Sequence, residues 1–171
     1  MGAGARRAAL VAAAALTVVL AGCAGRRIQD GVYHSERGFR VALPGVAWSV
    51  VNGSRADLEL RRGDGGAGML AHATCGPETL HRSRGVLERH LLLGFRVSAT
   101  LEEGEADVGG RRAAHRVVEG RARDGEERMR IESYVLKDAR CVYDLLYAAA
   151  PGAFDAGRAD FARFVQSFAT E

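Results

Sequence analysis

The sequence lacks the short motifs that identify common catalytic sites. Neither a G-x-S-x-G elbow nor an H-E-x-x-H pair occurs in its 171 residues, which removes the usual evidence for an α/β-hydrolase or a zinc protease. The glycine-rich stretch 63–68 lacks the Lys-Ser/Thr ending of a phosphate-binding loop and is typical of a turn. We therefore expect no catalytic residues, no cofactor and no enzymatic activity.

A strong positive charge is also missing from most of the chain. The 24 Lys+Arg, against 21 Asp+Glu, include Arg6 and Arg7 near the start, so the remaining residues are almost neutral. Phosphate binding needs a concentrated positive surface. The composition therefore excludes nucleic acid as an expected partner.

The first 22 residues have the three parts of a secretory signal peptide. Arg6 and Arg7 precede a short apolar run that ends in Leu20-Ala21-Gly22-Cys23, and small residues before the cleavage position complete the pattern. The alternative is a transmembrane anchor, which needs about 20 apolar residues. This run is shorter and rich in alanine, so we predict a signal peptide over residues 1–22.

Leu20-Ala21-Gly22-Cys23 resembles the lipobox of bacterial lipoproteins. In that family the signal is cut before the cysteine, so the resemblance implies that Cys23 carries a diacylglycerol and an acyl chain. Two or more chains give stable membrane anchoring. Ala24 follows, and the lack of an aspartate there implies the outer membrane in a Gram-negative cell. We expect residues 23–30 to form a lipidated tether.

Most of the remaining chain has the alternation of β-strands. Leu58 and Leu60 alternate with polar residues, and Met69 to Cys75 is apolar enough for an interior strand. From Phe95 to Leu101 every second residue is apolar, which predicts a strand with one buried face. Asp124-Gly125 between alternating runs is a hairpin signal.

Two segments have helical spacing instead. One helix is predicted from Pro77 to about Leu93, and a final helix follows Pro151. The apolar stripe of the final helix contains Phe154, Phe161, Phe164, Val165 and Phe168. Strands, a helix, more strands and a helix predict one α+β domain over residues 31–171, with helices packed against an antiparallel sheet.

Both ends of this domain resemble PsbP-like domains. Gly38-Phe39-Arg40-Val41-Ala42-Leu43-Pro44 followed by Trp48 is similar to their opening strand, and 141–145 followed by a proline and a helix ending at Phe168 is similar to their close. The resemblance implies a PsbP-like α/β sandwich. It also implies a non-enzymatic binding or assembly module, with no catalytic residues to carry over.

Cys75 and Cys141 remain after lipidation of Cys23. An oxidising envelope favours a disulfide between them, and two buried free thiols are the alternative. His72, His81 and His90 do not suggest a metal site, because His72 and Cys75 should face opposite sides of a strand and the other two opposite sides of a helix.

Asp144 is the polar residue that stands out, because it lies between Val142 and Leu146 on one face of an apolar strand. A buried carboxylate needs a partner, so we expect either an ion pair with Arg116 or Arg130 or an exposed position on the sheet face. A ligand contact through Asp144 and Arg116 is the alternative. The sequence thus predicts a lipid-anchored binding or assembly module with an envelope protein partner, against a small enzyme using Asp144 or a purely structural lipoprotein.

Overall fold

The computed structural model describes residues 27–171. The predicted signal peptide, Cys23 and residues 24–26 lie outside the described residues. The described chain forms strands and helices in this order: β1 (Ile28–Gln29), β2 (Val32–Ser35), β3 (Phe39–Ala42), β4 (Trp48–Val50), β5 (Leu58–Arg62), β6 (Ala67–Cys75), α1 (Pro77–Leu80), α2 (Arg84–Leu91), β7 (Phe95–Val108), β8 (Arg111–Ala122), β9 (Arg128–Lys137), β10 (Cys141–Ala149), α3 (Phe154–Gln166) and β11 (Ala169–Thr170).

Two antiparallel sheets organise these elements. The small sheet has the strand order β1-β2-β3-β11, and the large sheet has the order β4-β5-β6-β10-β9-β8-β7. The predicted α+β class with an antiparallel sheet is confirmed. The interior position predicted for the strand ending at Cys75 is also correct, because β6 pairs with β5 on one side and β10 on the other.

The main core lies on the inner face of the large sheet, the face that carries Tyr143 and Tyr147. The Tyr147 ring lies 5.0 Å from that of Phe154 and 5.5 Å from that of Phe161, both on α3. Gly157 permits this approach, since an added Cβ would lie 2.5 Å from the Tyr147 hydroxyl. The stripe predicted for the final helix is therefore its buried face.

The outer face of the large sheet carries Val142, Asp144 and Leu146. Here the single helix predicted from Pro77 to Leu93 is wrong, because the chain forms two shorter helices, α1 and α2. Ser83 is the N-cap of α2, and its hydroxyl accepts a hydrogen bond from Val86 N–H. Lys137 Nζ donates to the carbonyl oxygens of Leu80 and Arg82, each at 3.0 Å, which stabilises the break.

The face predicted to be buried on β7 is exposed. Val97 and Leu101 are 45% and 47% accessible, because β7 is the edge strand and its pairing with β8 is shifted between Val97 and Ala99 and again between Thr100 and Glu102. Such bulges twist an edge strand away from regular pairing.

The tether boundary also needs correction. Ile28 and Gln29, assigned to residues 23–30, form β1 and pair with Tyr33 and Val32. Arg27 accepts a hydrogen bond from His34 N–H at its carbonyl oxygen and forms an ion pair with Glu36 at 2.6 Å. The folded domain therefore includes residues 27–30.

Candidate functional site: a groove on the outer face

The helices cover only part of the outer face. Leu87 of α2 packs on Val135 and Val142, and Leu92 packs on Val118 and Ile131. This covered half lies over β8, β9 and the adjoining side of β10. The open half lies over β5 and over parts of β6 and β10, two strands that α1 also contacts. It contains a groove of about 380 Å³, which is within the range of small-ligand sites.

Strand alternation gives the groove a mostly apolar floor. Gly68 lies opposite Ala148, and Leu70 lies opposite Leu146, so these four residues share the outer face. Glycine and alanine leave room where larger side chains would fill the surface. The polar or flexible side chains that line the groove are Glu59, Arg61, Glu127 and Met129.

Asp144 and His72 form the next cross-strand pair beyond Leu70 and Leu146. These two residues lie just outside the lining of the groove, about 7 Å along the strands from Leu70 and Leu146. Burial raises the pKa of Asp144 to about 6, and the opposing His72 acts against this rise. In the part of the chain that the structure describes, Asp144 has no hydrogen bond and no ion pair.

His72 is held on its far side by Asp57. Its Nδ1 lies 3.0 Å from Asp57 Oδ2, which also accepts a hydrogen bond of 2.7 Å from Ala73 N–H. Burial opposes ionisation of Asp57, but the contacts with His72 and Ala73, together with the charge of Arg37, lower its pKa. Asp57 therefore remains charged and fixes the His72 ring beside Asp144.

The predicted ion pair between Asp144 and an arginine is wrong. Arg116 shares the outer face but pairs with Glu103 at 2.5 Å and lies 3.6 Å from Glu88. Arg130 projects from the inner face, where it pairs with Glu119 at 3.1 Å and lies over the Phe154 ring. Both guanidinium groups are engaged elsewhere, so neither one neutralises Asp144.

The two cysteines lie directly opposite each other on β6 and β10. The structure joins Cys75 and Cys141 by a disulfide, with their Cα atoms 4.1 Å apart. His72 projects from the opposite face. Among residues 27–171, no three His, Cys, Asp or Glu side chains are grouped so that they would hold a metal ion.

A second polar cluster on the inner face was missed in the sequence. Buried Glu132 binds His115 Nε2 at 2.9 Å and Arg158 Nε at 3.0 Å, and accepts a hydrogen bond from the Tyr134 hydroxyl. Burial opposes ionisation of Glu132, but His115 and Arg158 together lower its pKa. Every side chain of the cluster is paired, so it stabilises the fold and offers no free group. The alternation of β8 and β9 places His115, Glu132 and Tyr134 on one face and is the signal that points to it.

Comparison with known proteins supports the architecture. The chain is similar to the cyanobacterial PsbP protein CyanoP from Synechocystis sp. PCC 6803, with a TM-score of 0.56 and 15% identity over 89% of this chain and 99% of that one. The fold is PsbP-like. The chain is also similar to LpqN of Mycobacterium tuberculosis, described as involved in cell envelope biogenesis, with a TM-score of 0.57 and 16% identity over 81% of this chain and 88% of that one.

A larger protein from Bacteroides thetaiotaomicron has a TM-score of 0.59 and 9% identity over 84% of this chain. This chain spans about half of its length, 49%. No family model matches the sequence, and no curated protein matches it either. At these identities the likeness establishes the PsbP-like fold alone. Within the described residues, none of the helices has the length and apolar character needed to span a bilayer.

Proposed function

We propose that this chain is a lipid-anchored protein of the bacterial cell envelope whose PsbP-like domain is a non-catalytic binding or assembly module. The observation that carries the proposal is the succession of a lipobox-like Leu20-Ala21-Gly22-Cys23 and a PsbP-like domain. The similarity to LpqN, which is described as involved in cell envelope biogenesis, supports the same compartment.

The anchor in this proposal is Cys23, and the tether is short. Arg27 already belongs to the fold, so residues 24–26 alone separate it from the lipidated cysteine and span at most about 14 Å. Ala24 is the residue after the cysteine, which favours the outer membrane in a Gram-negative cell. The domain would then work close to the membrane surface and bind a partner within the envelope.

The binding surface in this proposal is the groove of the open half. The groove has an apolar floor and a polar rim, and one carboxylate without a partner, Asp144, lies next to it. Perturbed ionisable groups beside a cavity are more frequent at functional sites than elsewhere.

Crosslinking in living cells tests both parts of the proposal. A photoreactive amino acid at Arg61 or Glu127, on the groove rim, should give a reproducible crosslink to an envelope component. The same probe at Gln166, exposed on α3, is the matched control and should give none. Cys23→Ala should release the protein from the membrane fraction. Equal crosslinking from all three positions, or membrane retention of Cys23→Ala, would contradict the proposal.

A second candidate is a small envelope enzyme that uses Asp144 as an acid or base. The favouring observation is a pKa of about 6 beside His72, because a group that titrates near the working pH transfers protons efficiently. If Asp144→Asn abolished a cellular phenotype while partner crosslinking stayed intact, this candidate would replace the binding module. A purely structural lipoprotein would show neither effect.

A further inference from the structure

The groove ends at an acid that the fold leaves unneutralised. Asp144 lies on the outer face among Val142, Leu146 and Val135. An ionised carboxylate in such surroundings is unfavourable unless it is paired. Asp57, the other partly buried acid at this site, has contacts from His72, Ala73 and Arg37, so of these two acids Asp144 is the one without a partner.

The groove rim adds negative charge. Glu59 and Glu127 line it, against a single arginine, Arg61. Glu127 is exposed and has no ion pair among residues 27–171. The acids outnumber the bases at the rim, and Asp144 adds a further acid just beyond it, so the charge of the site is complementary to a cation.

The groove is also apolar along its length. Leu70, Leu146, Ala148 and Met129 form a surface that favours a short hydrocarbon chain. Because Asp144 lies one cross-strand pair beyond Leu70 and Leu146, a chain lying on this floor would bring a terminal group to the carboxylate.

We infer that the groove binds a small amphiphile that carries an ammonium group, with the hydrocarbon part on Leu70, Leu146 and Ala148 and the ammonium paired with Asp144. This inference rests on the proposed binding role and names the ligand class for the same surface. An ammonium donates hydrogen bonds to a carboxylate, and a charged pair of this kind is stronger than a neutral one. An anionic amphiphile of the same length would be rejected by Asp144.

The titration of Asp144 gives the inference a second readout. His72 from β6 is the group whose charge acts on Asp144. The other ionisable groups under the helices are engaged elsewhere, since Lys137 binds the carbonyl oxygens of Leu80 and Arg82, and Glu88 of α2 faces Arg116. Ammonium binding should therefore weaken as the pH falls through the pKa of Asp144, which is about 6.

The test uses the lipidated full-length protein in nanodiscs, with empty nanodiscs to correct for partitioning. The probes are n-hexylammonium, n-hexanol and n-hexanoate, which share one chain and differ in charge. Methyl NMR of leucine reports binding, because Leu146 lines the groove two residues from Asp144, while Leu145 is 0% exposed on the inner face and serves as an internal control.

We expect hexylammonium to shift the Leu146 signal at pH 7.5, with hexanol binding more weakly and hexanoate weakest. Asp144→Asn should weaken hexylammonium binding about tenfold or more and leave hexanol unchanged. Asp124→Asn, in the exposed turn between β8 and β9, is the matched control and should change neither.

Three results would overturn the inference. These are no shift of Leu146 with any probe, equal affinity of wild type and Asp144→Asn for hexylammonium, or hexylammonium binding that is no weaker at pH 5 than at pH 7.5. Thermal unfolding of each variant verifies that it is folded. Because this assay needs no cellular partner, its failure is separate from failure of the crosslinking experiment.

Discussion

The covered and open halves of the outer face are built on one sheet but differ in what completes them. In the covered half, Leu87 packs on Val135 and Leu92 packs on Val118, and these contacts form two small hydrophobic clusters apart from the main core. In the open half, Gly68, Leu70, Leu146 and Ala148 form the apolar floor of the groove, and Leu146 and Ala148 also pack against the Leu92 cluster at its edge. The same strand, β10, contributes to both.

The two halves of the outer face therefore differ in how much of their apolar surface is buried by the fold. Apolar area in the covered half is buried permanently and stabilises the fold. Apolar area in the open half remains available to a ligand, at some cost in exposed hydrophobic surface. Asp144 lies at the border, where a carboxylate is too enclosed to be well solvated and too far from any arginine to be neutralised.

The largest expected effect on stability comes from removing the disulfide between Cys75 and Cys141. Cys75 and Cys141 join β6 to β10 over a sequence separation of 66 residues. The double variant Cys75→Ser/Cys141→Ser should lose about 4 kcal/mol in the free energy of unfolding by the chain-entropy estimate. Urea denaturation of both proteins measures this loss. A loss below about 1 kcal/mol, or free thiols in the unreduced wild type by intact mass, would contradict the prediction.

Truncation in the covered half should have the next largest effect. Leu87→Ala removes a side chain packed on Val135 and Val142, and such truncations cost about 2–4 kcal/mol. The midpoint of urea denaturation should fall accordingly. An unchanged midpoint would mean that α2 is not fixed on the sheet.

At the border, Asp144→Asn should stabilise the protein at neutral pH. The pKa of Asp144 is raised in the folded state to about 6, because the folded protein favours the protonated acid. This contribution to stability is complete below the pKa of Asp144 in the unfolded chain and is lost as the pH rises from that value to about 6. The asparagine variant should be more stable by about 2 kcal/mol at pH 7.5 and unchanged at pH 3.5. Stabilities of wild type and variant at the two pH values measure this difference, with Asp124→Asn as the control. A difference that did not vary with pH would contradict the prediction.

The smallest effect on stability is expected in the open half. Leu70 is partly exposed on the groove floor, so Leu70→Ala should cost about 1 kcal/mol or less. It should nevertheless weaken binding of every hexyl probe, whatever its charge. If Leu70→Ala destabilised the protein as much as Leu87→Ala, the distinction between the two halves would be lost.

The sequence predicts most of the strands and the sides they present. Alternation correctly placed Val142, Asp144 and Leu146 on one face, and it separated His72 from Cys75. It succeeded because a central strand buries its apolar positions whatever its neighbours are. The final helix was predicted for a similar reason, since its phenylalanines repeat at helical spacing.

Partners across strands were not predictable in the same way. Whether Arg116 reaches Asp144 depends on register and on Glu88, which α2 brings to it from another part of the chain. The break between α1 and α2 depends on Lys137, 55 residues beyond Arg82. The exposure of β7 follows from its place at the edge of the sheet, which alternation alone does not reveal.

The pairing of β1 has a mechanical consequence for a protein held by its N-terminus. β1 is an edge strand of the small sheet, held to β2 at two residue pairs. A force applied through Cys23 would reach β1 before any strand of the large sheet and would separate those two pairs one after the other. The residues released from β1 would then lengthen the N-terminal segment before any force acted on the groove, the disulfide or α3. If Cys23 is lipidated as proposed, β1 would be the first strand to separate under tension, and the groove would keep its shape.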